Sequence, residues 1–280
     1  MAARPRLIRL AVFGKPVTHS LSPVIHGLFA HQCGLEIDYR AIEAGPDEFA
    51  GKLQELIQSG GRGCNVTVPL KRQAWQIAQR ASASAQQAQS ANTLVFERPD
   101  DCFADNTDGR GLVRDLSRCL AAPLTNSRIL IIGAGGAAAG ILGDLLQQMP
   151  VEVVLANRSP ERAQALARRV AAGGRLSSRA LDQLQASGAF DLVINATSMG
   201  HAGQAPALPD GLFRAGGLCY DLNYGPAAEP LRGQCENRGI RYQDGLGMLV
   251  EQAAISFTLW TGAQPDTKAV LQRLHRQKSR

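Results

Sequence analysis

The chain has 280 residues, 45% of them hydrophobic and 19% charged, which gives apolar content for a folded core and a length of about two domains. No apolar run approaches the ~20 residues of a membrane-spanning helix, and the basic, then apolar start is interrupted by Arg9 and ended by Gly14-Lys15-Pro16, too early for a secretory signal. The formal net charge of +6 is spread without a dense basic block or interleaved aromatics, which argues against nucleic acid as a partner and suits a small anionic molecule.

Leu7–Phe13 reads as a first strand, short and apolar. In FGKPVTHSLSPVIHGLF, Ser22 before Pro23 reads as a helix cap with proline at the first helical position, and the helix runs to Cys33 with Gly34 as its stop. Ser20 falls in the turn before it. Two hydroxyls beside a helix N-terminus suit a carboxylate, although a capping role for Ser22 and a turn role for Ser20 are the simpler reading of the residues alone. Ile37–Ile42 is a second strand. Pro46–Ser59 is an amphipathic helix with Phe49, Leu53, Leu56 and Ile57 on one face, broken by Gly60, Gly61 and Gly63.

In GCNVTVPLK, Cys64–Val66 is a short strand ended by Pro69. Thr67 and Lys71 lie at its C-terminal end, where ligands collect in open α/β sheets, while a lone lysine there also reads as a surface charge. Arg80–Ser90 reads as a polar helix. Asn92–Glu97 and Cys102–Ala104 read as a hairpin around Arg98–Asp101. In DNTDGRGLVRDL, Thr107 would cap a helix whose Leu112, Val113 and Leu116 face inward. Asp108 falls in its first turn, where complementing the helix dipole is a sufficient role.

Arg128–Ile132 reads as a buried strand, followed at once by Gly133, Gly135 and Gly136. A helix then starts near Ala137 with Ile141, Leu142, Leu145 and Leu146 on one side. Strand, glycine turn and helix together suit a pyrophosphate. Gly133 permits the tight turn, Gly135 allows close backbone approach, Ala138 fills the third small position, and the helix N-terminus offers free N–H groups. The glycines alone fit an ordinary strand-to-helix turn as well. The next strand, Val151–Ala156, ends in Asn157-Arg158-Ser159, where an NAD site would place a carboxylate on the ribose 2′-hydroxyl. An arginine there pairs with a 2′-phosphate, Asn and Ser can donate to it, and Arg162 lies one helical turn beyond Arg158, so the position points to NADP.

Glu161–Val170 reads as a charged helix, and Asp191–Ala196, Gly217–Leu222 and Ile240–Gln243 as strands. Asp244–Trp260 is a long apolar helix with the polar Gln252 deep in its pattern, and Asp266–His275 closes the chain. The alternation argues for the α/β class with mostly parallel sheets. Cys33, Cys64, Cys102, Cys119, Cys219 and Cys235 are scattered without metal-ligand spacing and read as free thiols of a reducing compartment, so a cytoplasmic location is expected.

Taken together, FGKPVTHSLSP, NVTVPLK, ANTL, DNTDG, GAGGAA, NRSPERAQALA, NATSMG and DGLGMLVEQAA resemble the shikimate dehydrogenase family over nearly the whole chain, in the family's order and spacing. The resemblance implies reduction of 3-dehydroshikimate to shikimate with NADPH, on the route to chorismate and aromatic amino acids. It implies an N-terminal substrate domain and a Rossmann-type NADP-binding domain, with the C-terminal helices returning to the first. The domains would be 1–109 with 245–280, and 110–244.

Carried over by position, Ser20 and Ser22 would hold the substrate carboxylate. Thr67, Lys71, Asn92, Asp108 and Gln252 would meet the ring hydroxyls, and Tyr224 would approach from the cofactor side. Gly133, Ala134, Gly135, Gly136 and Ala137 would hold the pyrophosphate, and Asn157, Arg158, Ser159 and Arg162 the 2′-phosphate. Leu222 and Gly245 would lie near the nicotinamide. Lys71 would be the acid/base and Asp108 the partner that fixes its orientation, with no metal needed and none implied. The partners implied are a small-molecule substrate, no nucleic acid and no membrane, for a monomer or homodimer.

The chain also departs from the family pattern. The family usually reads GAVNT where this chain has Gln89-Ser90-Ala91-Asn92-Thr93. It often has asparagine at Lys15, threonine at Glu229, a basic residue at Ala139 and an acidic one at Ala83. Two other readings remain beside the first. A quinate/shikimate or aminoshikimate dehydrogenase would differ in the contacts near Ser20, Ser22 and Tyr224. A non-catalytic NADP- or metabolite-sensing relative would be expected to lose Lys71 or Asp108, and both are present.

Overall fold

Short apolar strands alternate with helices along the chain and fold as two α/β units, Met1–Gly111 with Val250–Arg280, and Leu112–Leu249. The computed structural model describes residues 7–98, 100–120, 122–170 and 173–278.

The first unit runs β1 (Ile8–Gly14), α1 (Ser22–Cys33), β2 (Ile37–Glu43), α2 (Pro46–Gln58), β3 (Gly61–Val66), α3 (Lys71–Ile77), β4 (Arg80–Ala81), α4 (Ala83–Ala88), β5 (Thr93–Arg98), β6 (Asp101–Asp105) and into α5 (Asp108–Cys119). Its sheet has the order β2-β1-β3-β5-β6-β4, with β1 parallel to β2 and β3, and β5 antiparallel to β3 and β6. Leu10, Ala11, Val12 and Phe13 of β1 are all buried, as expected of a central strand covered on both faces. Phe13 meets Phe49 of α2 edge-on, with ring centroids 5.5 Å apart.

Several local expectations need correction. Ser22 does not cap α1: the helix already begins there, and Leu21 at the cap position makes no side-chain hydrogen bond. The Ser20 hydroxyl does that work, accepting from Ser22 N at 3.2 Å. Thr107 does not cap α5 through its side chain; Asn106 Oδ1 accepts from Asp108 N at 3.2 Å, and the Thr107 hydroxyl turns inward. α2 does end just before the glycines, but Gly61 and Gly63 lie inside β3, which starts three residues ahead of the expected Cys64. A Cβ at Gly63 would stand 2.2 Å from Trp260 Nε1 and 2.4 Å from Leu94 O, so close packing demands the glycine. The polar stretch Arg80–Ser90 is not one helix: β4 comes first, then Ser82 caps α4 by accepting from Ala85 N at 3.1 Å.

The second unit runs β7 (Arg128–Ile132), α6 (Gly136–Gln147), β8 (Glu152–Asn157), α7 (Pro160–Arg169), β9 (Leu176–Ala180), β10 (Phe190–Asn195), β11 (Phe213–Asp221), α8 (Glu229–Glu236), β12 (Arg241–Gln243) and the start of α9 (Leu246–Thr261), after which comes α10 (Thr267–Lys278). All six strands are parallel, in the order β12-β11-β10-β7-β8-β9. This is the doubly wound order, whose direction of winding reverses between β7 and β10, and ligands of such sheets bind outside the C-terminal ends of the strands there. β9 has no sequence signal: LSSRA is half-polar, and the strand exists because β8 offers it a parallel edge. Among the described residues no helix is long and apolar enough to cross a membrane.

From Val250 onward α9, and all of α10, belong to the first unit. There Phe257 and Trp260 join Phe29, Tyr39 and His26 in an aromatic cluster, in which His26 stacks on Tyr39 at 4.4 Å. His26 is fully buried, with Nε2 3.2 Å from Asn65 Oδ1. Burial holds its pKa down to about 3, against the smaller raising effect of the Asn65 hydrogen bond. The imidazole is therefore neutral in the fold, whereas in the unfolded chain it protonates below pH ~6.5. The unfolded state then binds more protons, so stability falls as pH drops from about 6.5 toward 3. Urea unfolding at pH 7 and pH 5 is expected to show a loss of about 2 kcal/mol from this group, and His26→Gln to lack that share.

Candidate active site

Lys71 owes its place to the turn that follows β3. Thr67 N donates to Phe13 O at 2.8 Å, Leu70 N to Thr67 O at 2.9 Å, and Ala91 N to Lys71 O at 2.8 Å. α3 therefore begins at Lys71 beside the start of β5. α5 begins at Asp108, and Lys71 Nζ donates to Asp108 Oδ2 at 2.5 Å, with side chains 15% and 7% exposed. Asn92 Nδ2 lies 2.8 Å from Asp108 Oδ1, 2.9 Å from Thr107 Oγ1 and 3.0 Å from Gln252 Oε1. α5 and α9 approach closely at this point, since a Cβ on Gly111 would stand 2.7 Å from Gln252 N. Lys71, Asn92, Asp108 and Gln252 thus meet in one hydrogen-bonded group.

Behind that group lies a polar layer of Asn65, Thr93, Thr107 and Ser256, of which only Thr107 stood out in the sequence, and then as a helix cap. Asn65 Nδ2 donates to Asn92 O at 3.1 Å, Thr93 Oγ1 at 3.2 Å and Ser256 Oγ at 3.1 Å. Asn92 Oδ1 accepts from Thr107 N at 2.8 Å, which fixes the face that the amide turns to Asp108. The available signals were an asparagine between the buried Cys64 and Val66, and a serine one helical turn after Gln252.

Ser20 and Ser22 stand together at the start of α1, Ser20 half-buried and Ser22 buried. Burial raises the Tyr39 phenol, opposed by a hydrogen bond with the Ser22 side chain, and Tyr39 OH donates to Asn65 Oδ1 at 2.7 Å. Ser22 is thereby joined to the polar layer. Thr67 is half-buried at the end of β3, its methyl carbon 2.3 Å from where a Cβ on Gly14 would stand.

In the second unit Gly133 has φ 117°, and a Cβ there would lie 2.8 Å from Ala196 O, so both backbone conformation and space require glycine. Gly135 holds the cap position of α6, and nothing lies within 4 Å of where its Cβ would be. Gly136 opens the helix, whose first-turn N–H groups have no intrahelical acceptor and sit at the positive end of its dipole. Ala134 and Ala137 flank the turn, half-buried. β8 ends at Asn157, whose Nδ2 donates to Ser159 O at 3.0 Å. Because α7 starts only at Pro160, Arg158 lies in the turn before it and not one helical turn from Arg162 on a shared helix; both arginines are exposed. Leu222 and Gly245 are adjacent, a Cβ on Gly245 falling 2.5 Å from Leu222 O, and Tyr224 follows half-buried.

These residues fit a dinucleotide with a 2′-phosphate. The space above Gly135 and the helix end suit the pyrophosphate, and the amide and guanidinium donors of Asn157-Arg158-Ser159, where β8 ends without a carboxylate and the first acid is Glu161 of α7, suit the 2′-phosphate. Among the described residues no group of three or more His, Cys, Asp or Glu is placed to hold a metal ion.

Models of protein families match three stretches of the chain. The shikimate dehydrogenase substrate binding domain matches residues 12–94, the shikimate / quinate 5-dehydrogenase model residues 115–203, and the shikimate 5′-dehydrogenase C-terminal domain residues 245–275. Two α/β units, one with a buried lysine–carboxylate pair and one with a doubly wound sheet and a glycine turn, together with these matches mark a nicotinamide-dependent oxidoreductase. The chain belongs to the shikimate dehydrogenase family. It is 45% identical over 268 residues to the shikimate dehydrogenase (NADP(+)) of Marinobacter nauticus, covering 94% of this chain and 97% of that one. The corresponding protein of Aromatoleum aromaticum is 46% identical over 274 residues, with 96% and 97% covered. The crystal structure of shikimate 5-dehydrogenase from Thermus thermophilus in complex with shikimate aligns with a TM-score of 0.82 at 34% identity, over 96% of this chain and 98% of that one. A 5-ketofructose reductase from Gluconobacter shares the fold, with a TM-score of 0.81 at 24% identity over 97% of this chain and 99% of that one.

Asn92→Ala would leave Asp108 Oδ1, Gln252 Oε1 and Thr107 N short of a buried partner each. Urea unfolding is expected to register a loss of about 2–4 kcal/mol.

Proposed function

We infer that this chain catalyses the reversible, NADP-dependent interconversion of 3-dehydroshikimate and shikimate, on the route to chorismate and aromatic amino acids. The observation that carries the reading is the Lys71–Asp108 pair, 2.5 Å apart and nearly sealed from water, inside a group of ring-hydroxyl partners. The NADP-dependent relatives at 45% and 46% identity support the same reaction.

Bound NADPH supplies a hydride to the ketone carbon. Lys71 delivers a proton from Nζ to the ketone oxygen, and recovers it when the alcohol is oxidised. Asp108 holds the ammonium in place through Oδ2, and its Oδ1 is fixed by Asn92. Asp108, Asn92, Gln252 and Thr67 meet the ring hydroxyls, Ser20 and Ser22 hold the carboxylate, and Tyr224 approaches the ring from the cofactor side. Gly133, Ala134, Gly135, Gly136 and Ala137 hold the pyrophosphate. Asn157, Arg158, Ser159 and Arg162 hold the 2′-phosphate, and Leu222 and Gly245 border the nicotinamide. The net charge of +6 suits an anionic substrate and cofactor, and the six free cysteines suit the reducing cytoplasm.

Steady-state rates with shikimate and quinate, each with NADP and NAD, test the assignment. Shikimate with NADP is expected to be the most efficient pair. A higher efficiency on quinate would favour the quinate-oxidising alternative, and NADP binding without turnover would favour the sensing relative. Each charged hydrogen bond to the 2′-phosphate is worth about 1.5–3 kcal/mol, so Arg158→Ala should raise the KM for NADP by roughly 10–100-fold and leave that for NAD nearly unchanged.

Lys71→Ala should lower kcat by about 10²–10⁴-fold, with a smaller loss of shikimate affinity because the other polar contacts remain. Asp108→Ala should lower kcat and weaken binding together. In the double variant the two losses should not add, since the pair acts as a unit. Near-normal turnover in Lys71→Ala with loss of affinity alone would make Lys71 a binding residue.

A further inference from the structure

Asp221 closes β11 and is fully buried in the second unit. Its Oδ1 accepts from Asn195 Nδ2 at 2.9 Å, Asn223 N at 3.0 Å and Asn223 Nδ2 at 2.8 Å, and its Oδ2 faces the Tyr242 hydroxyl at 3.4 Å. The two asparagines carry this grip outward. Asn195 Oδ1 accepts from Thr197 N at 3.1 Å and Thr197 Oγ1 at 2.7 Å, and Asn223 Nδ2 also reaches Thr197 O at 3.0 Å. Leu222 N donates to Asn195 O at 3.0 Å, and Gly245 N to Asn223 O at 2.9 Å. Three segments that follow β10, β11 and β12 are therefore pinned to one carboxylate.

The sheet does not need this arrangement, because β10 and β11 already pair through their main chains. A buried carboxylate costs free energy unless fully hydrogen-bonded, and an apolar side chain would avoid that cost. Burial does raise the Asp221 carboxyl above its ordinary value, against the hydrogen bonds that pull it down. The pinned segments show what the group is for. One carries Ala196 O, the atom against which Gly133 of the phosphate turn closes, and the other two carry Leu222 and Gly245.

We propose that Asp221 is a positioning residue for the cofactor, setting the Leu222–Gly245 pair relative to the Gly133 turn through Asn195 and Asn223. The proposal rests on the assignment of the Gly133 turn, Leu222 and Gly245 to NADP. Shape, more than charge, carries the effect. An asparagine at 221 can place its carbonyl oxygen where Oδ1 stands and its amide toward the Tyr242 oxygen, whereas alanine loses every contact.

The test compares the unmodified protein with Asp221→Ala, Asp221→Asn and Asn223→Ala. Three quantities are read: the dissociation constant of NADPH by fluorescence without substrate, kcat with shikimate, and Tm. Asp221→Ala is expected to weaken NADPH binding about fivefold and lower kcat about tenfold, and Asp221→Asn to recover both to within about threefold. A folded Asp221→Ala protein with a lower Tm but unchanged NADPH affinity and kcat would overturn the proposal, making Asp221 a stabilising residue alone. Where Asp221→Ala does not fold, Asn223→Ala decides. It keeps the main-chain bond and the Asn195 bond, so it should fold and still weaken NADPH binding, and unchanged affinity overturns the proposal. An unmodified protein that binds NADPH but does not turn over shikimate removes the assigned reaction, while the order of NADPH affinities still judges Asp221. An unmodified protein that does not bind NADPH removes both.

Discussion

Two opposite charges buried side by side set the terms for the first unit. Lys71 and Asp108 lie 2.5 Å apart with little exposure, and taking both from water costs several kcal/mol per ion unless the remaining lone pairs and protons find partners. The surroundings answer that demand in layers. Asn92 occupies the second carboxylate oxygen, Gln252 and Thr107 occupy the Asn92 amide, and Asn65, Thr93 and Ser256 hold these in turn. In the function proposed above, a substrate's hydroxyls would meet side chains already oriented by one another. In that function the fixed geometry would let a proton move without reorganising charged groups at the moment of reaction.

The second unit solves a different problem with main-chain geometry. A parallel sheet collects the C-terminal ends of its strands on one edge, and the reversal of winding between β7 and β10 opens a crevice there. Gly133 lets the chain turn without a side chain that would strike Ala196 O. A phosphate site built on such a turn would need few specific side chains. In the proposed function selectivity would fall to the turn after β8, where Asn157 and Arg158 stand in place of a carboxylate.

Legibility in the sequence followed the physics of each element. Buried parallel strands announce themselves as unbroken apolar runs, so Arg128–Ile132 could be read to the residue. Half-polar LSSRA could not, since its strand is imposed by pairing with β8. Gly63 looked like a breaker because a glycine demanded by a distant tryptophan leaves no local trace. Ser22 and Thr107 looked like caps because their residue types favour that role, and tertiary contacts turned both hydroxyls elsewhere. The group around Lys71 and Asp108 was even less readable from pattern alone. Lys71 and Asp108 are 37 positions apart, and Asn92 and Gln252 are 160 apart, distances at which periodicity carries no information. Family resemblance singled these residues out, and the folded chain brings them into contact.

The first unit is discontinuous along the chain: its sheet lies in the first 111 residues, yet Gln252, Ser256 and Trp260 come from the segment beginning at Val250. Trp260 fills the space above Gly63 and donates to Leu94 O at 2.9 Å, and Gln252 completes the set around Asn92. On the ribosome the N-terminal sheet must then wait, with part of its apolar face uncovered, while the whole contiguous second unit is synthesised and free to fold. The region that emerges first is completed last: Gln252 and Trp260 can reach Asn92 and Gly63 only after the residues of the second unit have been made.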